Sequence, residues 1–189
     1  LIIVTGPTGS GKTTTLYSSL STIRDIEKKI ITIEDPIEYQ LPLINQVAIN
    51  DKIDLTFSKV LRSVLRQDPD VIMIGEIRDA ETAQIALRSA ITGHLILSTL
   101  HTKDTVSAPA RLIDVGVPAY MVATALQGVL SQRLIRVNCP HCKQDHDLKE
   151  KDLIWARKEF GDDVSNIKFK HSTGCNVCNQ TSFLGRTGV

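Results

Sequence analysis

The stretch GPTGSGKTTT, residues 6–15, decides the fold of this chain. It stands directly behind LIIVT (1–5), a short run rich in β-branched residues that reads as a buried parallel strand. Gly6, Gly11, Lys12 and Thr13 match the spacing G-x-x-x-x-G-K-[ST], and residues 13–26 read as a helix. Glycines let backbone N–H groups curl around phosphate oxygens where bulkier residues would block them. The helix that follows aims the positive end of its dipole at the same oxygens. Gly6, Pro7, Thr8, Gly9, Ser10, Gly11, Lys12, Thr13 and Thr14 are therefore the expected nucleotide-binding residues. Lys12 is expected to reach the β- and γ-phosphates of a nucleoside triphosphate, and the Thr13 hydroxyl to ligate Mg²⁺.

Outward from the loop, apolar strands and amphipathic helices alternate. KIITIED (29–35), DVIMIGE (70–76) and HLILSTL (94–100) read as further buried strands. LTFSKVLRSVLRQ (55–67) carries apolar residues at helical spacing until Asp68-Pro69 stops it. Asp79 reads as the N-cap of a helix over 80–92, and Gly93 as its C-cap. Helices are expected over 105–116 and 118–135. Residues 36–55 read as irregular, with a short strand pair near 44–49. The alternation from 1 to about 116 predicts an α/β fold with a mostly parallel sheet covered on both faces.

In such a sheet, ligands sit at the carboxyl ends of the strands. Those ends deliver Glu34 and Asp35, Glu76, and then Ser98, Thr99 and His101 toward the loop. Glu76, behind an apolar strand, is assigned mainly to magnesium. Glu34 is the first choice for the base that orients the attacking water, and the two roles are interchangeable at this level. His101 is a candidate contact to the γ-phosphate. Arg62, Arg66 and Arg78 are candidates to stabilise a phosphoryl transition state, including across a subunit border.

Hydrophobic residues make up 42% of the 189, enough for a core. The net charge of +1 gives no electrostatic case for nucleic acid or an anionic membrane as main partner. The longest mostly apolar stretch, VGVPAYMVATALQGVL, is too short to span a bilayer. The chain opens inside a strand without an initiator Met and reads as a piece of a longer protein. Its four cysteines form two Cys-x-x-Cys pairs, Cys139/Cys142 and Cys175/Cys178. Two such turns can close a tetrahedral four-thiolate site, and with no open coordination position the expected zinc is structural. An iron–sulfur cluster is the weaker alternative. The expected organisation is a nucleotide-binding core over 1–138, a metal subdomain over 139–178, and a segment over 179–189 that returns to the core.

Four ordered motifs, GPTGSGKTTTLY, ITIEDPIEY, LRQDPDVIMIGEIRDAETA and TGHLILSTLHT, resemble the Walker A, Asp box, Walker B and His box of the type II secretion and type IV pilus assembly ATPases. The tetracysteine element is similar to that of the secretion and pilus-extension branches. The resemblance covers essentially the whole chain. It implies a RecA-like ATPase domain, a homo-hexameric ring, and ATP-driven work on an inner-membrane platform protein from the cytoplasmic face, without a membrane span. It also implies nucleotide-site roles for Lys12, Thr13, Glu34, Glu76 and His101. Gly75-Glu76 stands where generic P-loop ATPases often have Asp-Glu, which favours a water-mediated link from Glu76 to magnesium. Two other readings are a small-molecule P-loop kinase with a zinc element and a nucleotide-gated scaffold that does not hydrolyse.

Overall fold

A computed structural model describes the backbone of residues 1–189 and the side chains of all residues but Asp162, Asp163 and Ser165. The apolar runs become β1 (Ile2–Thr5), β2 (Ile30–Glu34), β4 (Val71–Ile74) and β5 (Leu95–Leu100). With β3 (Asn45–Ala48) and β6 (Gly128–Ser131) they form one sheet of order β3-β2-β4-β5-β1-β6, every pair parallel. Around it lie α1 (Lys12–Ile23), α2 (Phe57–Val64), α3 (Ala80–Ile91), α4 (Ser107–Asp114) and α5 (Ala119–Ala125).

The strands are apolar throughout because both faces are covered. Alternate residues of β4 go to opposite sides. Ile72 and Ile74 pack with Leu61 of α2, Leu87 of α3 and Met121 of α5. Val71 and Met73 pack with Leu16, Tyr17 and Leu20 of α1. Each fully buried leucine of this kind is worth about 1.5–3 kcal/mol relative to exposure. The caps are local: Asp79 accepts from the Thr82 N–H at 2.8 Å, as the sequence predicts, and Thr56 caps α2 in the same way.

Two expectations fail in this part of the chain. The helix expected over 118–135 stops at Ala125, and residues 128–131 become β6 on the edge of β1. The Gln127 N–H donates to the Leu1 carbonyl and the Gln132 N–H to the Thr5 carbonyl, each at 2.8 Å. A free edge of β1 offers that ladder, whereas continuing the helix would place Gly128 in its interior at about 0.5–1 kcal/mol. The short strand pair expected near 44–49 is instead the single strand β3, paired in parallel to β2.

The chain forms two compact units, Leu1–Arg133 and Leu134–Val189. In the second, β7 (Leu134–Asn138) pairs antiparallel with β10 (Phe183–Gly188), and β8 (Lys143–Asp145) with β9 (Lys170–Ser172). The helix α6 (Glu150–Phe160) lies between β8 and β9 in sequence. Among the described residues, no helix is long and apolar enough to cross a membrane.

Candidate nucleotide site and tetracysteine centre

A cleft of about 490 Å³ opens at the carboxyl ends of β1, β2, β4 and β5. Residues 8–14 of the loop form one wall, and Glu34, Gly75, Glu76, Thr99 and His101 come from the other strand ends. Gly6, Gly9 and Gly11 have φ of 143°, 75° and 85°, conformations that only glycine adopts without strain. The first turn of α1 carries no acidic residue, so its positive end is not neutralised from within the helix. The Lys12 ammonium donates to the Gly6 and Pro7 carbonyls at 3.0 and 3.1 Å. Burial lowers its pKa, while the Glu76 charge acts in the opposite sense. Ser10 Oγ is buried in the loop without a hydrogen-bond partner. Backbone donors, a buried cation and an orphaned hydroxyl around one concavity fit a polyphosphate.

Glu34 is 3% exposed, and three donors converge on its carboxylate. They are the Tyr17 hydroxyl, the Thr32 hydroxyl at 2.5 Å and the Gln46 amide at 3.0 Å. Tyr17, fully buried on α1, also meets the Tyr39 ring edge-on at 4.7 Å between centroids. Burial, and then its hydrogen bond to Glu34, push the Tyr17 phenol above its ordinary value. The helix that carries the loop is thereby tied directly to the acid across the cleft. None of the three donors is identified by sequence reasoning. Tyr17 leaves one signal, a polar-tipped aromatic at the spacing of Leu16 and Leu20, whose O–H needs a partner once buried. Gln46 leaves none.

Glu76 lies one residue beyond Gly75 at the end of β4. A Cβ at Gly75 would stand 3.3 Å from the Ile33 carbonyl and 3.5 Å from the Glu34 Cα, so the neighbouring strand leaves little room there for a larger residue. Arg78 donates to Glu76 at 2.5 Å and lies 3.8 Å from Asp35. His101 Nε2 is 3.8 Å from the other Glu76 oxygen. Arg62 and Arg66 are not brought to the cleft. Arg62 pairs with Glu81 at 2.7 Å, and Arg66 bonds the Arg62 carbonyl and the Ser63 hydroxyl on its own helical face.

In the second unit the four cysteine sulfurs lie within 4.8 Å of one another. Cys139 and Cys175 are 3.9 Å apart, as are Cys142 and Cys178, and Cys175 and Cys178 are 3.7 Å apart. A disulfide would bring two sulfurs to about 2.05 Å. Four sulfurs at about 2.3 Å from a common centre stand about 3.8 Å apart in a tetrahedron, close to the spacing of these three pairs. Burial acts to raise the Cys178 thiol, but N–H groups of Cys175 and Ser182 and the adjacent thiols outweigh it and bring it down to about 6. His141 is not part of the cluster.

A parallel sheet with a P-loop at the start of α1 and acidic residues at the ends of β2 and β4 defines a RecA-like P-loop NTPase. The whole chain, residues 1–189, matches the family described as Type II/IV secretion system protein, and the chain belongs to that family. It is 50% identical over its full length to the type II secretion system protein HxcR of Pseudomonas aeruginosa, covering 36% of that protein. It is 45% identical to the type IV pilus assembly ATPase PilB of Myxococcus xanthus, covering 33% of it. The crystal structure of the pilus retraction motor PilT with bound ADP matches 71% of this chain and 42% of its own, with 42% identity and a TM-score of 0.64. The chain thus spans about a third of the length of the curated relatives named here.

Proposed function

We propose that this chain is the ATP-hydrolysing part of a motor for type II secretion or type IV pilus assembly. The observation that carries the reading is the convergence of the P-loop, Glu34 and Glu76 on one cleft within a single unit. The names of the relatives, a secretion system protein, a pilus assembly ATPase and a retraction motor with ADP bound, supply the context.

In this reading the loop amides and Lys12 hold the β- and γ-phosphates and stabilise the charge that develops on the leaving β-phosphate oxygen. Glu34 orients a water in line with the γ-phosphorus and takes its proton as the new P–O bond forms and the bond to the β-phosphate breaks. The Tyr17, Thr32 and Gln46 donors keep its carboxylate aimed. The Thr13 hydroxyl and, through water, Glu76 would hold Mg²⁺, which supplies neutralisation of phosphate charge. Arg78 holds Glu76 in place, and His101 beside it is suited to sense the γ-phosphate. Arg62 and Arg66, on an outer helical face, are suited to a neighbouring subunit's site rather than their own.

Further parts of the proposal are a homo-hexameric ring, an inner-membrane platform protein as the partner and a place at the cytoplasmic face of that membrane. A core over 1–138, a subdomain over 139–178 held by Zn²⁺ on Cys139, Cys142, Cys175 and Cys178, and a C-terminal segment over 179–189 complete it. Nucleotide binding and phosphate release by the full-length protein test the chemistry. Lys12→Ala is expected to abolish tight binding. Glu34→Gln is expected to bind normally and turn over about 10²-fold more slowly. Unchanged affinity in the first variant, or unchanged turnover in the second, would contradict these assignments.

A further inference from the structure

Gln132, immediately after β6, is 9% exposed and touches the phosphate loop along its length. Its backbone N–H donates to the Thr5 carbonyl at 2.8 Å, just before the loop. Its own carbonyl lies 2.3 Å from where a Cβ at Gly6 would stand, so the loop begins in contact with it. Its side-chain amide donates from Nε2 to the Ser10 carbonyl at 2.7 Å, in the middle of the loop. The amide oxygen accepts from the Thr15 hydroxyl at 2.7 Å, in the first turn of α1. The Gln132 peptide is itself held: Arg133 donates to its carbonyl at 3.0 Å and to the Lys103 carbonyl.

Beyond the Lys12 ammonium on the Gly6 and Pro7 carbonyls, the loop has few restraints of its own. Outside the start of α1, its own backbone hydrogen bond is the one from Ser10 N–H to the Pro7 carbonyl at 3.2 Å. Glycine-rich backbone loses much conformational freedom when ordered, and a cradle works only if its N–H dipoles are already aimed. A primary amide is neutral and carries its donor and its acceptor on separate atoms, so it can donate to a carbonyl through nitrogen and accept from a hydroxyl through oxygen at once. We propose that Gln132 is a positioning residue for the nucleotide site. It fixes the distance between the middle of the loop and the first turn of α1, and so presets the phosphate cradle without touching the nucleotide. The inference rests on the reading of residues 6–13 as that cradle.

The test is binding of a fluorescent ADP analogue with Mg²⁺ to the full-length protein, well below the unfolding midpoint measured for each variant without nucleotide. Wild type and Lys12→Ala establish the cradle. Gln132→Glu keeps the shape and the acceptor but loses the donor, Gln132→Met loses both, and Thr15→Val removes the opposite donor. Each Gln132 variant is expected to bind about tenfold more weakly, and Thr15→Val about threefold. Thr15→Val added to Gln132→Met is expected to change nothing more, because the two share one interaction. Should Gln132→Met fail to fold, Gln132→Glu and Thr15→Val carry the measurement. Affinities of folded Gln132 variants within about twofold of wild type, or a Thr15→Val effect that adds in full, overturn the positioning role while the cradle stands. A wild type that does not bind, or Lys12→Ala that binds like wild type, refutes the cradle itself and the inference with it.

Discussion

Replacing Tyr17 by Phe removes one oxygen and keeps a ring that is fully buried and packed edge-on against Tyr39 at 4.7 Å. The cost is therefore the lost hydrogen bond, not a cavity of side-chain size. Its partner is the buried Glu34 carboxylate, which retains Thr32 and Gln46 as donors. A hydrogen bond to a charged group contributes about 1.5–3 kcal/mol, and that is the expected loss of stability near neutral pH. Trp155 lies in the second unit and reports on the wrong part of the molecule, so amide hydrogen exchange of β1, β2 and β4 in increasing urea is the appropriate probe. A second signature follows from titration. The folded phenol is held above its ordinary value, by burial first and then by Glu34, whereas the unfolded one ionises near about 10. A group whose pKa is raised on folding contributes its full stability below the unfolded pKa and loses it as pH rises further. The gap between wild type and Tyr17→Phe should thus be constant up to about pH 10 and then narrow by as much as about 1.36 kcal/mol per pH unit. A neutral-pH gap below about 0.5 kcal/mol, or one that stays constant through the alkaline range, would show that the hydroxyl does not hold Glu34.

Freshly prepared, reduced protein should contain one zinc per chain. Chelation should speed amide exchange across residues 139–178 first and leave the six-stranded sheet protected, because that sheet takes no strand from the second unit. Metal content below about half an equivalent would count against a zinc centre. Residues 1–189 alone should bind ATP, yet sediment largely as monomer and release phosphate far more slowly than the longer protein, since a monomer has no neighbouring subunit to supply an arginine finger, whose loss lowers phosphoryl-transfer rates by about 10³–10⁵. Equal turnover of the two would place a complete site within one subunit and remove the main support for a ring.

The nucleotide cleft is lined by residues 8–101, and the cysteines lie at 139–178. The cysteines share their unit with helix α6, which leaves Ile154, Trp155 and Phe160 substantially exposed. A segment with that little buried apolar surface needs a covalent or metal tie to hold its shape.

What was legible from residues alone was whatever the chain writes locally. The loop 6–13, the apolar strands before Glu34 and Glu76, the Asp79 cap and the paired cysteines each occupy a few adjacent positions, and their chemistry depends on spacing within the segment. The strand ends point to one crevice because parallel sheets share a direction, so Glu34, Glu76 and His101 could be grouped before their contacts were known. The tertiary structure decided the rest, through pairings between distant residues that carry no local mark. Residues 128–131 are a strand because β1 has an open edge, although their surroundings read as helix. Gln46 reaches Glu34 because β3 joins β2 in parallel. Tyr17 faces Glu34, and Gln132 bridges Ser10 and Thr15, across separations of 17 and 117–122 residues. Periodicity encodes which face of an element is buried, but not which polar group will be waiting there; that is set only when the layers pack and each buried donor must find an acceptor.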